Sequence, residues 1–490
     1  MVGAPLSVIH ATFLTQSPNS TMFKRISQFL ATIRYKNNED YRTLNRSLLF
    51  DAKYYVETYE VNTDPILHYL TVGYQLGYNP SPEFDTERYQ TAYLDVYRAG
   101  MNPLVHYERY GRKEGRRSFP IIPPVEYKLS EYHGETILLF PHELSLTGSP
   151  IALLNMAKVL KTLGKRVMVF SPVHGPLETE LKRCGIEYVV EPKCFVKLDK
   201  KDEKLLSFFS SFKLIIFNTI VTLFYVKYLN TCKPKIMWVH EGSYIYEGLK
   251  PFIDVREAFV FVDKVYSVGS YSKSYTDQYI PADKSGTLLY GLEDISEDLE
   301  RDKTSNEKLT FGIFGTCHER KGTHLFVEAI SQLPSHIKRA CAFKVVGKIG
   351  ENDFSKKILA NGAENGIVFT GELSHDATLK EMASVDVVVC PSLDDPMPIV
   401  CTEAMQLRKT IIVSNHTGTA SFIEHGKNGF ICHVCHEGEE CNLQSVMAEV
   451  FAAREQLTSI GEAAHEIYSS HFTMKKFKET LDYLLKEEWT

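Results

Sequence analysis

The sequence predicts an α/β protein of two Rossmann-like domains that face a cleft, preceded by a small α-helical repeat module. Two series of short apolar runs alternate with helical stretches along the 490 residues, as in the strand–helix–strand units that build parallel sheets. Residues 293–308 separate the two series and contain almost no apolar side chains, as an interdomain linker does. An internal duplication with helical spacing precedes the first series.

These patterns divide the chain into seven segments. They are an N-terminal segment with an amphipathic helix (1–45), the repeat module (46–118), a linker (119–134), the first Rossmann-like domain (135–292), a second linker (293–308), the second Rossmann-like domain (309–465) and a C-terminal helix (466–490). The strands that we predict are 136–140, 166–170, 214–217, 236–239 and 264–268 in the first domain, and 309–314, 343–346, 367–370, 385–390 and 410–413 in the second. We expect the C-terminal helix to pack back on the first domain.

Composition excludes several classes of protein. The net charge of −6 and the lack of a basic patch interleaved with aromatic residues argue against a nucleic-acid partner. No run of about 18 apolar residues offers a membrane span, and the N-terminus lacks the basic and apolar regions of a signal peptide. All ten cysteines follow residue 183 at irregular spacings, which favours a reducing compartment over a disulfide framework. We therefore expect a cytoplasmic protein, or a peripheral one at the inner face of the membrane.

Residues 22–36 have the spacing of an amphipathic helix. Phe23, Ile26, Phe29, Leu30 and Ile33 fall on one face, with lysines and arginines beside it. Such a helix lies in a membrane interface or packs on a neighbouring domain. Most apolar stripes are buried in protein, which favours the second interpretation.

A duplicated unit begins at Phe50 and again at Phe84. Each copy has the pattern of two short helices with an aromatic face and a glycine that ends the second. The aligned residues are Phe50, Asp51, Tyr55, Pro65, His68, Tyr69, Gly73 and Gly77 in the first copy, and Phe84, Asp85, Tyr89, Pro103, His106, Tyr107, Gly111 and Gly115 in the second. The histidines permit a metal-binding interpretation, but recurrence of the whole pattern favours side chains that hold a turn in the same way twice. A module of this size suits docking to a membrane, a second copy of the chain or an acceptor.

A cysteine- and histidine-rich stretch, Cys432-His433-Val434-Cys435-His436, matches the pattern of haem attachment, and with Cys441 it resembles a zinc site. Haem attachment requires an exported protein, and no export signal is recognisable. Coincidence in the loop after a short strand is the favoured interpretation.

The strongest candidate for a functional site is the stretch CPSLDDPMPIVCTEAM, residues 390–405. It predicts a buried strand, an acidic loop with Asp395 and a helix that carries Glu403. Ligands of open α/β sheets bind at the carboxyl ends of the strands, and carboxylates accept hydrogen bonds from sugar or ribose hydroxyls. The alternative is that Glu403 is a surface acid in the first turn of a helix, where the helix dipole favours it.

A second candidate is the turn after the first strand of the second domain, GTCHERKG, residues 315–322. Arg320 and Lys321 precede a predicted helix, and cations and N–H groups at such a junction suit a diphosphate. The alternative is a solvated basic turn.

These motifs resemble those of the retaining, nucleotide-sugar-dependent glycosyltransferases of family four, the glycosyl transferases group 1 type. That family has the GT-B fold, in which two Rossmann-like domains bind acceptor and donor. The resemblance covers about residues 135–480 and includes LTGSPIALLNMAKVLKTLGKRVMVF (146–170), WVHE (238–241) and SNHTGTASFIEHGKNGFIC (414–432). FD-x-x-YY and HY-x-x-G repeats like those of residues 50–115 accompany bacterial polysaccharide glycosyltransferases.

The resemblance implies a role for each matching residue. Glu403 would hold the donor ribose, Lys321 the diphosphate and Asp395 the sugar, with His240 facing the sugar from the opposite domain. Gly148 and Ser149 would shape the acceptor-side loop near the phosphates, and Glu241 would orient an acceptor hydroxyl. The implied donor-binding set is Gly315, Thr316, Arg320, Lys321, Asp395, Pro398, Ile399, Val400 and Glu403.

Two positions depart from the family pattern. Asp395 stands where the family has a glutamate with one more methylene, and Thr316 stands where it often has a phosphate-binding arginine. No D-x-D triad follows a strand, so we expect Lys321, Arg320 and helix dipoles to take the place of a metal. We expect no cofactor besides the nucleotide-sugar substrate.

The function predicted from these residues is transfer of a hexose-type sugar from a nucleotide-diphosphate sugar to a glycan or lipid-linked acceptor, in bacterial surface polysaccharide synthesis. The alternative is a catalytically weak module with the same fold that binds nucleotide or glycan without turnover. A nucleotide-sugar epimerase or a phosphorylase with the same twin-Rossmann plan is a third hypothesis with less support. The phosphorylase version is weakened further because no obvious lysine motif for cofactor attachment is present.

Overall fold

The computed structural model describes residues 39–93, 96–97, 99–116, 118, 135–191, 203–226, 234–251, 253–295, 308–434 and 441–489. The chain forms two compact units, Met1–Pro124 and Val125–Thr490. The helix predicted over 22–36, the linker 119–134 and the Cys435-His436 pair lie outside the described residues. None of the helices that the structure describes has the length and apolar character needed to cross a bilayer.

The first unit is a small helical module with an aromatic core. Its helices are α1 (Glu39–Arg46), α2 (Ala52–Tyr59), α3 (Pro65–Thr71), α4 (Thr86–Ala92) and α5 (Pro103–His106), with a 3-10 turn at Gly73–Leu76 and a π-turn at Tyr107–Gly111. Helix α1 buries Tyr41 and Leu44 in this core and crosses the boundary predicted at residue 46. The module therefore begins before that boundary.

The two copies of the duplicated unit use their tyrosine and histidine in the same way. The Tyr55 hydroxyl lies 2.9 Å from His68 Nδ1, and the Tyr89 hydroxyl lies 3.0 Å from His106 Nδ1. Burial lowers the pKa of His68, as expected for an imidazole held neutral in an apolar turn. No cluster of three or more metal-ligating side chains occurs among the described residues.

The second unit contains two Rossmann-like domains. The elements of the first domain are β1 (Thr136–Pro141), α6 (Gly148–Thr162), β2 (Arg166–Ser171), α7 (Leu177–Arg183), β3 (Glu187–Val190), α8 (Glu203–Ser210), β4 (Leu214–Asn218), α9 (Leu223–Val226), β5 (Lys235–Val239), α10 (Ser243–Leu249), α11 (Val255–Phe259), β6 (Lys264–Ser267), α12 (Ser270–Thr276) and β7 (Ser285–Thr287). The strands pair in parallel in the order β3-β2-β1-β4-β5-β6-β7. Strands β1 and β4, which are apolar apart from Thr136 and Asn218, are buried on both faces, as central parallel strands require.

The second domain repeats this plan with six strands. Its elements are β8 (Leu309–Phe314), α13 (Thr323–Gln332), α14 (Ser335–Ala340), β9 (Cys341–Val346), α15 (Asp353–Glu364), β10 (Val368–Gly371), α16 (His375–Ser384), β11 (Val387–Cys390), α17 (Ile399–Gln406), β12 (Thr410–Ser414), β13 (Phe430–Cys432), α18 (Leu443–Ala452), α19 (Leu457–His471) and α20 (Met474–Glu487). The parallel order is β10-β9-β8-β11-β12-β13. The sequence prediction of two Rossmann-like domains is confirmed.

The C-terminal helix α20 packs on the first domain. The Phe477 ring lies 5.8 Å from that of Trp238 on β5, and the Trp489 ring lies 5.6 Å from that of Tyr266 on β6. The Leu292 N–H also donates to the Phe472 carbonyl at 2.8 Å. The chain thus returns to the first domain after completing the second, which joins both domains through one apolar cluster.

Candidate active site

The acidic loop after β11 and the basic turn after β8 contact each other at the carboxyl ends of neighbouring strands. Lys321 Nζ lies 2.5 Å from Asp395 Oδ2, and Arg320 Nη1 donates to the Asp394 carbonyl at 2.6 Å. Gly322 has a φ of 71°, and a Cβ there would lie 2.0 Å from the Pro391 carbonyl oxygen. Only glycine permits this backbone approach, which brings the two loops together. Both cations are thus tied to the acidic loop, while about a third of each side chain remains exposed.

Asp395 is held from several sides. It is 7% exposed, its N–H donates to the His416 carbonyl at 3.1 Å, and its own carbonyl accepts from Gly418 at 3.0 Å. Arg320 Nη1 is 3.9 Å from its carboxylate, as a second cation beside Lys321. Hydrogen bonds thus fix the backbone of Asp395, and Arg320 and Lys321 balance the charge of its carboxylate.

Glu403 lies on α17 and is 9% exposed, so it is not the surface acid of the alternative interpretation. Its Oε1 lies 2.8 Å from Nε2 of His375, the first residue of α16. The hydrogen bond to Glu403 raises the pKa of His375 above its usual value. Burial is the main cause that raises the pKa of Tyr290, and the negative charges of Glu403 and Asp395 raise it further. Both acids therefore lie near Tyr290.

The remaining donor-side positions lie at the end of β8 and at the start of α17. Gly315 and Thr316 are exposed at the end of β8, and the Gly315 N–H donates to the Val346 carbonyl at 2.9 Å. Pro398 is the N-cap of α17, and Ile399 and Val400 are half-buried in its first turn.

The acceptor-side loop meets this turn. A Cβ on Gly148 would lie 3.5 Å from Ile399 Cδ1, so the start of α6 faces the start of α17. The Ser149 carbonyl is fixed by Asn218 Nδ2 at 3.1 Å. The structure therefore brings the predicted acceptor-side loop against the predicted donor helix.

His240 follows β5 in the first domain and is a buried, neutral imidazole. Its ring lies 4.3 Å from the Trp238 ring, and its Nε2 is buried with no hydrogen-bond partner among the described residues. Burial lowers the pKa of His240 to about 3, and His142 adds to the shift. A buried nitrogen atom without a hydrogen-bond partner in the part of the chain that the structure describes is suited to a substrate hydroxyl.

Glu241, next to His240, is tied to the protein backbone. Its Oε2 accepts from the N–H groups of His240 at 2.9 Å and Ile220 at 3.2 Å. Burial raises the pKa of Glu241 to about 7, and these hydrogen bonds oppose the shift. Oε2 of Glu241 thus holds the end of β5, and the role of Glu241 toward an acceptor hydroxyl stays a prediction.

The structure adds three residues that sequence reasoning missed. Asp394 Oδ2 accepts from the Tyr244 N–H at 2.7 Å, which links the acidic loop to α10 of the first domain. His142, after β1, has a buried Nδ1 without a partner among the described residues, and His375 holds Glu403. The available signals were the doubled aspartate and the position of both histidines next to a strand or helix end.

The site therefore combines two cations, two buried carboxylates and a neutral imidazole at the facing ends of two parallel sheets. The Tyr290 hydroxyl, 2.8 Å from Thr402 Oγ1, makes a further contact between the two domains. Cations opposite developing negative charge and carboxylates that accept from hydroxyls suit a ligand with a diphosphate and several hydroxyl groups.

Two family models match the chain. The model of the glycosyl transferases group 1 matches residues 294–466, and that of glycosyl-transferase family 4 matches residues 133–288. Together they span about two thirds of the chain and coincide with the two Rossmann-like domains.

Curated relatives cover smaller parts. An uncharacterised glycosyltransferase of Methanocaldococcus jannaschii is 24% identical over 231 residues, which is 44% of this chain and 59% of that protein. The lipopolysaccharide core biosynthesis glycosyltransferase LpsE of Rhizobium meliloti is 24% identical over 172 residues, 35% of this chain and 48% of LpsE. The chain thus spans less than two thirds of the length of these relatives.

Solved structures share the fold over most of the chain. HepE of Anabaena, determined in complex with UDP and glucose, superposes with a TM-score of 0.60 at 21% identity, over 72% of this chain and 99% of HepE. A glycosyltransferase of Rickettsia africae has a TM-score of 0.59 at 16% identity, over 72% of this chain and 99% of that one. With both domains matched by family models and the paired parallel sheets in place, the chain belongs to the glycosyltransferases of the group 1 and family 4 type and has their GT-B fold.

Proposed function

We propose that the chain is a retaining glycosyltransferase that moves a hexose-type sugar from a nucleotide-diphosphate sugar to a glycan or glycolipid acceptor in cell-surface polysaccharide synthesis. The observation that carries the proposal is the contact of Lys321 with Asp395 and the burial of Glu403 beside it, opposite the neutral His240. The UDP-glucose complex of HepE and the lipopolysaccharide role in the name of LpsE support the choice of donor and pathway class. We place the reaction in the cytoplasm or at the inner face of the membrane.

The charges of the site suggest how the leaving group is stabilised. Departure of the nucleoside diphosphate places negative charge on its outer phosphate, where Lys321 and Arg320 are positioned as cations. Lys321 exchanges its ion pair with Asp395 for the phosphate in this proposal. Since these cations can take the place of a metal, the proposed reaction requires neither a metal ion nor a further cofactor.

The sugar becomes oxocarbenium-like as the phosphate leaves. Asp395, freed from Lys321, accepts from sugar hydroxyls, and Glu403 accepts from the ribose diol. His240 faces the sugar from the first domain and, with a pKa near 3, stays neutral throughout. The acceptor attacks from the face that the phosphate leaves, and the phosphate takes the acceptor proton, which retains the anomeric configuration.

The experiment that tests the proposal is transfer by the full chain with a set of UDP-, GDP- and ADP-sugars, with nucleotide release and glycan product measured separately. We expect Glu403→Gln to lower kcat/KM by roughly 100-fold or more while thermal unfolding is unchanged within a few degrees. Glu462→Gln, a half-exposed acid paired with Arg408 on the same domain, is the matched control and should retain activity. Full activity of Glu403→Gln, or no transfer from any donor by the wild type, contradicts the proposal.

A second candidate is a module with the same fold that binds the nucleotide sugar without turnover. The Lys321–Asp395 ion pair favours it, since it neutralises the main phosphate-binding cation, and Thr316 adds no charge. Single-turnover analysis of bound donor separates the two. Product formed within one turnover supports the transferase, and intact donor after prolonged incubation with acceptor supports the binding module.

A further inference from the structure

A cavity of about 300 Å³ lies between the two repeats of the first unit. Thr71 and Tyr74, at the end of α3 and in the turn after it, line one side, and Asn102 lines the other. Asp40 of α1 and Arg109 of the π-turn also line it. Its volume is at the lower end of the range of about 300–1,000 Å³ that is typical of small-molecule sites.

Asn102 provides an unsatisfied hydrogen-bond donor in this cavity. The residue is 9% exposed, and its Oδ1 caps α5 by accepting from the Val105 N–H at 3.1 Å. Its Nδ2 is buried and has no hydrogen-bond partner among the described residues. Buried amide groups are almost always paired, so an acceptor oxygen of a ligand is the natural partner here.

The same position of the first repeat shows what a purely structural residue does there. Asp64 caps α3 with Oδ1, which accepts from the Leu67 N–H at 3.0 Å, and its Oδ2 accepts from the Tyr41 hydroxyl at 2.7 Å. Both oxygens of Asp64 are therefore satisfied within the module. The second repeat keeps the cap, but Nδ2 of Asn102, a residue that lines the cavity, has no partner among the described residues.

The cavity wall fits a neutral polyhydroxyl ligand. Arg109 Nη2 lies 2.7 Å from Asp40 Oδ1 and 3.6 Å from Glu39 Oε2, so acidic side chains neutralise the guanidinium and an anionic ligand is not favoured. The carboxylate accepts hydrogen bonds, and the guanidinium and the Asn102 amide donate them. The Tyr74 ring and Val105 supply apolar surface for the C–H face of a sugar ring.

We propose that this cavity binds a neutral sugar residue of a glycan, as a carbohydrate site distinct from the donor site of the second unit. That the bound glycan is the acceptor of the enzyme rests on the proposed function, whereas the binding itself does not. A second site of this kind would raise the local concentration of a long glycan by multivalency.

Saturation-transfer NMR on the full chain tests the proposal, with neutral oligosaccharides released by mild acid from the surface polysaccharide of the source organism as the probe. Asn102→Asp keeps the cap and removes the Nδ2 donor, and Thr71→Trp fills the rim from an exposed position. Asp64→Asn is the matched control in the first repeat. We expect signals from the wild type and from Asp64→Asn, and at least a tenfold weaker signal from Asn102→Asp and Thr71→Trp.

Absence of signal in the wild type, or equal signals in all four proteins, overturns the proposal. Loss of self-association in Thr71→Trp without any oligosaccharide signal would also overturn it, in favour of a protein contact at this surface. Glu403→Gln should bind the oligosaccharides through the module as the wild type does. A failure of the donor-site assignment is thereby distinguished from a failure of this one.

Discussion

Asp394 joins the two Rossmann-like domains through the backbone of Tyr244. Its Oδ2 accepts from the Tyr244 N–H at 2.7 Å, and a Cβ on Gly242 would lie 2.0 Å from its Oδ1. The residue next to the predicted sugar-contacting aspartate thus reaches the first turn of α10 across the cleft. Arg320 also donates to the Asp394 carbonyl, so Asp394 links the basic turn of the second domain to the first domain.

We predict that Asp394→Ala weakens the closed arrangement of the cleft. The change removes a hydrogen bond to a charged acceptor, which typically contributes about 1.5–3 kcal/mol. The radius of gyration from small-angle X-ray scattering should increase, and the KM for the donor should rise by roughly tenfold with a smaller change in kcat. Asp353→Ala, at an acid 96% exposed on α15, is the control. Unchanged scattering and KM in Asp394→Ala would show that this contact does not hold the domains.

The pairing of His375 with Glu403 predicts a pH dependence of stability. The hydrogen bond to Glu403 raises the pKa of His375, so its contribution is fully present below the usual value of 6.5 and is lost as pH rises through the raised value. His375→Ala should therefore lower the Tm at about pH 5.5 and leave it unchanged at about pH 9. Thermal unfolding monitored by circular dichroism across this range is the measurement. Equal destabilisation at both pH values would contradict the assignment.

The same pair predicts competition with the donor. If Glu403 binds the ribose, protonated His375 opposes donor binding, and donor affinity of the wild type should rise as His375 loses its proton. His375→Ala should bind donor more tightly at about pH 5.5 and show a flat pH profile. Isothermal titration with the intact nucleotide sugar, whose esterified diphosphate does not titrate in this range, gives these constants at several pH values. A steep pH profile in His375→Ala would place the titrating group elsewhere.

The Lys321–Asp395 ion pair predicts strong coupling between the two side chains. Lys321→Met leaves the buried Asp395 carboxylate with Arg320 alone at 3.9 Å, and breaking a buried pair typically costs about 3–5 kcal/mol. Asp395→Asn should cost less, because Lys321 is 31% exposed and can reach solvent. The double variant should be more stable than Lys321→Met by chemical denaturation. Simple additivity of the two losses would show that the pair is not coupled.

The alternation of apolar and helical segments was sufficient to predict the central strands of both sheets. Three edge strands, β3, β7 and β13, were absent from the predicted strand set. Strand β7 reads Ser-Gly-Thr and has no apolar run at all, since an edge strand buries little surface. Strand β7 therefore forms by pairing with β6 and has no apolar pattern of its own that would predict it.

The candidate site was likewise predictable only in part from the sequence. Asp395, Glu403 and Lys321 stand in local motifs and were predicted from them, although their binding roles stay predictions. The contacts of Asp394 with Tyr244 and of Glu403 with His375 join residues 150 and 28 positions apart. Such contacts depend on how two loops approach in the folded protein, which no local spacing encodes.

Two glycines of the duplicated module should differ in how much stability is lost when alanine replaces them. A Cβ on Gly111 would lie 2.3 Å from the Tyr89 hydroxyl, as one on Gly73 would lie 1.9 Å from that of Tyr55. Gly111→Ala should therefore disturb the Tyr89–His106 hydrogen bond and cost more than about 2 kcal/mol. Gly115→Ala meets no atom within 4 Å but has a φ of 71°, so it should cost about 1–2 kcal/mol. Denaturant unfolding of the full chain measures both.

A double variant tests the mechanism in this module. Removing the Tyr89 hydroxyl in Gly111→Ala/Tyr89→Phe relieves the clash, so the double variant should lose less stability than the sum of the single changes. Gly115→Ala/Tyr89→Phe should be additive, because Gly115 has no atom of Tyr89 near it. Additivity in the first pair would mean that the hydroxyl is not what excludes a side chain at Gly111.

Glu241 predicts a stability change at neutral pH. Burial raises its pKa from 4.5 to about 7, so the unfolded chain releases this proton at lower pH than the folded one does. The contribution of Glu241 to the free energy of unfolding is fully present below about pH 4.5 and is lost as pH rises through about 7. Glu241→Gln keeps an oxygen for the His240 and Ile220 N–H groups and never ionises. It should therefore gain stability relative to the wild type above pH 7, and lose this advantage near pH 4.5.

The difference in Tm between Glu241→Gln and wild type, measured from about pH 4.5 to 8.5, should grow by a few degrees across that window. Glu143→Gln is the control, since Glu143 follows β1 at the same end of the sheet and is 38% exposed. Its Tm difference from wild type, measured over the same window, gives the effect of removing a carboxylate that is not enclosed in the protein. If the Glu241→Gln difference does not change with pH, the folded and the unfolded chain release this proton at the same pH. The hydrogen bonds to the carboxylate would then offset the burial of its charge.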